Sequence, residues 1–193
     1  LHGNVTIEGL IINYTVFMAF GEVTCMIFGG LSPAFTKWVG SKRMAFFWSA
    51  LLCLVLSIAF FFIPMSPDYI WVMIAFVILT SIGIGIYSPL MWSMYADVAD
   101  YHTEHFGTSA TGLIFSSGTM SQKFGTAISG SLIALFLGWA GANMITDKMG
   151  NTVIDPTSIT DSVLMMVWSL FSLFPAVIAF LLMVLSYKFP IKK

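Results

Sequence analysis

Residues 94–130 read MYADVADYHTEHFGTSATGLIFSSGTMSQKFGTAISG. The stretch opens on a short acidic connector, ADVADY, that ends one apolar segment. It runs on into a second apolar segment carrying a single cation, Lys123, near its middle. A cation at bilayer depth costs roughly 2.5–3.5 kcal/mol on insertion scales, so such residues face a bundle interior or a watery cavity. On a 3.6-residue period Gly112, Ser116, Thr119, Lys123, Thr126 and Gly130 share one narrow arc, while Leu113, Phe124 and Ile128 point elsewhere. Close packing between membrane helices accounts for the small and hydroxyl residues of that arc. It does not account for Lys123, which sits too deep to snorkel easily and reads as functional.

Outward from this stretch, composition sets the class. Hydrophobic residues make up 58% of the 193 and charged residues 9%, against about 25% charged in an ordinary soluble domain. Five apolar segments, near residues 9–32, 44–63, 69–93, 109–140 and 161–187, approach or exceed the ~20 residues that cross a hydrocarbon core. The expected fold is an all-α integral membrane bundle of about five transmembrane helices, with the lipid bilayer as its surroundings. Ser32-Pro33 is expected to end the first helix, and a Pro64–Asp68 turn to separate the second from the third. The longest polar stretch is the Asp147–Asp161 loop. No basic n-region or cleavage site of a signal peptide appears, and the start at Leu1 suggests a fragment.

Lys37, Lys42 and Arg43 lie between the first two segments, and Lys188, Lys192 and Lys193 follow the last. With five spans these fall on one side, and the cation rule makes that side cytoplasmic. The expected protein is multi-pass in the inner (plasma) membrane, with its N-terminus outside and its C-terminus in the cytoplasm. A net charge of −1 offers no basic patch for a nucleic acid. Cys25 and Cys53 lie in different apolar segments and read as small buried hydrophobes rather than a disulfide or metal site.

Other residues leave two readings open. Glu22 is a deep carboxyl near the centre of the first helix, on a face with Thr15, Cys25 and Gly29. Desolvation raises such a pKa and a nearby cation lowers it, so proton coupling or pairing with Lys123 stands beside a neutral structural acid. Gly83, Gly85 and Pro89 interrupt the third segment, and such interruptions often line a substrate path in transporters. Ser81, Gly85, Ser88 and Trp92 share a face there, where Trp92 is either an interfacial anchor or a platform for a sugar ring. His102, Glu104 and His105 form HTEH; lacking a third strong ligand, they read as an exposed polar loop rather than a zinc site. No nucleotide-binding glycine loop, nucleophile elbow or HExxH is present, so no enzyme activity is expected.

Ala96-Asp97, Asp100-Tyr101, Gly107, Ala110-Thr111-Gly112, Lys123 and Gly125 together resemble the glycoside–pentoside–hexuronide cation symporters of the major facilitator superfamily. Leu31–Arg43, LSPAFTKWVGSKR, resembles that family's connector between helices eight and nine. The resemblance implies that the five segments are helices eight to twelve of a twelve-helix carrier, whose missing N-terminal half is their partner. It implies a sugar or glycoside substrate, no cofactor, and H⁺ or Na⁺ as coupling ion. It places Lys123 at the sugar and cation site, with Thr119, Gly118 and Gln122 lining the same cavity. It assigns Asp97 and Asp100, with Lys42 or Arg43, to a cytoplasmic gate. Thr108 and Ser109 stand where the family often has paired arginines, and a tryptophan of the family's helix ten falls at Ser88.

The expected function is therefore part of a secondary transporter taking up a sugar or glycoside by cation-coupled alternating access. The expected substrate residues are Lys123, Thr119, Gln122, Gly118, Ser88 and Trp92, and the expected coupling residues are Glu22 and Lys123. The alternatives are a non-transporting membrane scaffold, an intramembrane enzyme, or a facilitator for another solute class.

Overall fold

In the computed structural model, residues 4–7, 10–63, 69–146 and 152–188 are described. The Pro64–Asp68 turn, Glu8, Asp147, Lys148, Lys192 and Lys193 lie outside them. The chain runs β1 (Asn4–Ile7), β2 (Leu10–Asn13), α1 (Tyr14–Val39), α2 (Lys42–Phe61), α3 (Ile70–Phe106) and α4 (Thr111–Trp139). A second hairpin, β3 (Met144–Thr146) with β4 (Thr152–Ile154), leads to α5 (Asp161–Lys188).

Helix bounds differ from expectation at three places. The first helix does not begin at residue 9: Leu10–Asn13 pairs antiparallel with Asn4–Ile7, with Asn4 opposite Asn13 and Ile7 opposite Leu10. Runs such as Val5-Thr6-Ile7 and Ile11-Ile12 are β-branched and suit strands as well as apolar helices. Nor does Ser32-Pro33 end α1, which continues through Pro33 to Val39. The third helix does not stop at residue 93, because ADVADY and HTEH are both helical, to Phe106. In both cases the stop is a left-handed glycine. Gly40 (φ 85°) donates to the Thr36 carbonyl and Gly107 (φ 66°) to that of Thr103, closing each helix as αL C-caps do. A proline costs one hydrogen bond, and the acidic run contains no breaker at all.

At 1.5 Å per residue the 37-residue α3 is about 55 Å long, well beyond a ~30 Å hydrocarbon core. One end therefore projects from the membrane.

α1 and α2 pack densely on α3, and α5 packs densely on α2. Gly83 and Gly85 are buried, and they make these contacts possible rather than interrupting the helix. A Cβ on Gly85 would lie 2.6 Å from the Cys25 carbonyl oxygen, and one on Gly83 would strike Cys53 Sγ and approach the Ser49 carbonyl at 3.1 Å. Small residues on opposite sides of α3 thus admit α1 and α2 at backbone distance. Ala45, Phe46, Ile86 and Leu90 form the core beside them. The buried Ser32 hydroxyl donates to the Ile86 carbonyl at 3.0 Å, tying α1 to α3. At the other end of α2, Trp168 of α5 stacks on Phe60 at 4.7 Å and donates to the Phe61 carbonyl at 3.2 Å.

α4 is different. Among the described residues four helices are long and apolar enough to cross a membrane: Met18–Val39, Lys42–Phe61, Trp71–Phe106 and Asp161–Lys188. α4 has the length, 29 residues, but its glycines, serines and threonines keep its hydropathy below theirs. It packs sparsely, on α3 and α5 alone among the stronger helix contacts.

Candidate functional site

The face of α3 that carries Ser88 and Trp92 meets the face of α1 that carries Glu22. Glu22, Cys25, Met26 and Gly29 line one wall of a cleft of about 380 Å³, and Gly85, Ser88, Pro89 and Trp92 line the other. Glu22 is exposed, and Ser88 and Trp92 are half-buried. Pro89 has no N–H, so the Gly85 carbonyl four residues earlier loses its usual helical donor. That carbonyl oxygen faces α1, 3.7 Å from where a Cβ on Gly29 would sit. The cleft thus combines a carboxyl, a hydroxyl, a carbonyl and an indole edge, all groups that hydrogen-bond or stack with polyhydroxy compounds.

Trp92 joins this cleft to α4. Its ring lies nearly parallel to Phe115 of α4, at 6.2 Å and 6°, and edge-on to Tyr95 at 5.6 Å. One face of the indole is therefore engaged in holding α4. Gly118 is buried here as well: a Cβ on it would come within 2.8 Å of the Tyr95 ring. Its place is that of a packing contact between α3 and α4.

Thr119, Gln122 and Lys123 are all exposed on α4. The hydroxyls along this helix bond back to their own backbone: Thr119 to the Ser116 carbonyl at 2.9 Å, Thr126 to that of Gln122 at 2.8 Å. Such bonds satisfy each hydroxyl proton locally, yet leave oxygen lone pairs to accept from a ligand. Among the described residues Lys123 and Glu22 form no ion pair, with each other or with any other group.

The four expected gate residues separate into two groups. Lys42, at the start of α2, reaches both carboxylate oxygens of Asp97 on α3 at 2.8 Å. The Asp97 side chain is only 13% exposed and that of Lys42 30%, so this pair is partly shielded from water. Arg43 points away from it, into a recess with Phe47 and Tyr187. Asp100 is exposed. In the helical HTEH segment His105 stacks on Tyr101 at 3.9 Å, and His102 Nδ1 lies 3.0 Å from the Thr108 carbonyl oxygen. No group of three or more metal-ligating side chains occurs among the described residues. Sequence reading missed the Tyr95–Gly118 and Trp92–Phe115 contacts; the aromatic spacing Trp92-x-x-Tyr95 was the available signal.

Residues 8–193 match the family described as MFS/sugar transport protein. The inner membrane symporter YicJ of Escherichia coli (strain K12) is 31% identical over 129 residues, covering 65% of this chain and 27% of that protein. The putative glycoside/cation symporter YagG of the same organism is 30% identical over 125 residues, 65% of this chain and 26% of its own length. The glucuronide carrier protein homolog of that strain is 36% identical over 63 residues, 33% and 14% respectively. No solved structure matches the chain. The matched stretches thus span only 14% to 27% of these relatives' own lengths. The relatives are transporters by name, which counts against the scaffold and intramembrane-enzyme alternatives. With its helical membrane-length segments and its family match from residue 8 to the end, the chain belongs to the MFS sugar transport family, in the glycoside–pentoside–hexuronide cation symporter branch.

Proposed function

We propose that this chain is one wall of a carrier that takes up a sugar or glycoside together with H⁺ or Na⁺ across the inner membrane, by alternating access. The observation that carries the reading is the polar cleft between α1 and α3, joined through Trp92 to α4. Glu22 and Ser88 stand in a cleft whose Trp92 stacks on the helix that carries Lys123. Charged and hydroxyl groups in helices otherwise suited to lipid fit a shared watery path. Rocking of this half against a second one would expose that path to either side in turn. Lys123 is proposed to contact substrate hydroxyls or a carboxylate, with Thr119 and Gln122 orienting the ligand. The Lys42–Asp97 pair is proposed to close the cytoplasmic side, which places the end of α5 in the cytoplasm and the start of α1 outside.

Glu22 is proposed to tune proton dependence. Glu22→Gln should then keep exchange of preloaded substrate while altering the pH profile of uphill accumulation; an unaltered profile makes it a structural acid.

The test of the main reading is uptake by the full-length carrier against a panel of glycosides, with and without Na⁺. Lys123→Ala should reduce accumulation to background while the protein still reaches the membrane. Normal uptake by that variant would sink the assignment.

A further inference from the structure

Lys42 and Arg43 are adjacent at the start of α2 and so leave the helix about 100° apart. Lys42 is committed to Asp97. Arg43 is half-buried against the other side, in a recess with Phe47, Ser186 and Tyr187, and among the described residues no carboxylate lies within 4.0 Å of it. This recess shares Ser186 with a larger cleft of about 360 Å³ between α2, α3, α4 and α5. The larger cleft is almost wholly apolar, lined by Phe46, Met91, Met94, Ile114 and Leu185, and it exists because α4 rests so lightly on its neighbours.

We propose that the two recesses together hold one anionic phospholipid, an acyl chain in the cleft and the phosphate on Arg43. The cleft falls in the size range of ligand pockets, roughly 300–1,000 Å³. Its walls offer little hydrogen bonding for a polar solute. Methionine side chains adapt to a flexible apolar chain, and a guanidinium presents a planar fork that matches phosphate oxygens. Basic recesses between membrane helices at the cytoplasmic face are where anionic headgroups are retained. This site uses neither Lys123 nor the α1–α3 cleft, so it stands apart from the transport path.

The test is native mass spectrometry of the full-length carrier in mild detergent, titrated with dioleoyl phosphatidylglycerol or dioleoyl phosphatidylcholine. One phosphatidylglycerol should be retained in preference to phosphatidylcholine. Arg43→Gln should weaken its retention by about fivefold, the effect of one juxtamembrane cation, without changing that of phosphatidylcholine. Ser117→Phe, from the exposed start of α4 into the cleft, should lower retention of both lipids. Equal retention of the two lipids by the parent, or an Arg43→Gln protein that keeps the full preference, overturns the proposal.

Discussion

Helices α3 and α4 both carry glycines, and those glycines do opposite things. A Cβ on Gly85 of α3 would run into the backbone of α1 and one on Gly83 into the Cys53 sulfur of α2, whereas Gly112, Gly125 and Gly130 of α4 have nothing within 4 Å of theirs. The first pair lets a bundle close; the second set belongs to a face left open. α3 is a structural axis with α1 and α2 pressed against it, and α4 is held by an aromatic hinge at Trp92, Tyr95 and Phe115. The same residue type thus marks a closely packed helix and the least-packed one, and only the neighbours decide which.

Substitution can break this contrast. Gly85→Ala should have the largest effect on stability. Its methyl meets a backbone oxygen that cannot swing aside, and overpacking of this kind costs about 1–3 kcal/mol. Thermal melting of the full-length carrier should fall clearly, and an unchanged melting temperature would remove the tight α1–α3 contact from the account. Asp97→Asn comes next. It leaves Lys42 without its carboxylate, and a partly shielded pair is worth on the order of 1 kcal/mol, about fivefold in a conformational population. Transport should slow more than ligand binding weakens, and cysteines placed near residue 100 should label faster from the cytoplasm. Gly125→Ala should be milder in stability, within about 1 kcal/mol, because its methyl enters open space. Any loss it causes should appear in uptake and not in the melting curve.

The smallest effect is expected outside the bundle. The Asp155 carboxylate accepts from the Thr157 N–H at 2.9 Å, and that bond holds its pKa below the ordinary value. A depressed carboxyl pKa contributes stability above the unfolded value that is lost as pH falls through the folded one. Protection of the Thr157 amide, its exchange rate taken relative to that of a free peptide at the same pH, should therefore fall on acidification, and Asp155→Asn should flatten that dependence.

Much of this was legible in the sequence for a physical reason: charge in an apolar segment is expensive, so Lys123 and Glu22 stand out without any neighbour being known. The pattern from Ala96 to Gly125 carried the family in the same way. Helix ends were less legible. Pro33 and ADVADY look like stops, but a helix survives a lost hydrogen bond or a run of acids, and it ended where a glycine went left-handed, at Gly40 and Gly107. Contacts between distant residues were not legible at all. Lys42 and Arg43 are equivalent on paper, and only the turn of α2 sends one to Asp97 and the other to Ser186. Gly118, next to Thr119 in sequence, faces Tyr95, while Thr119 is exposed.

The central claim is that the polar face of α4 borders the substrate path while its apolar face does not. Single cysteines at Thr119 and at Phe124, in a cysteine-free full-length carrier, can be labelled with a membrane-impermeant thiol reagent in the presence and absence of a transported glycoside. The account predicts ready labelling at position 119 that the glycoside slows, and little labelling at position 124 with no effect of the glycoside. Equal labelling at the two positions, or labelling at 119 that no glycoside protects, would contradict it.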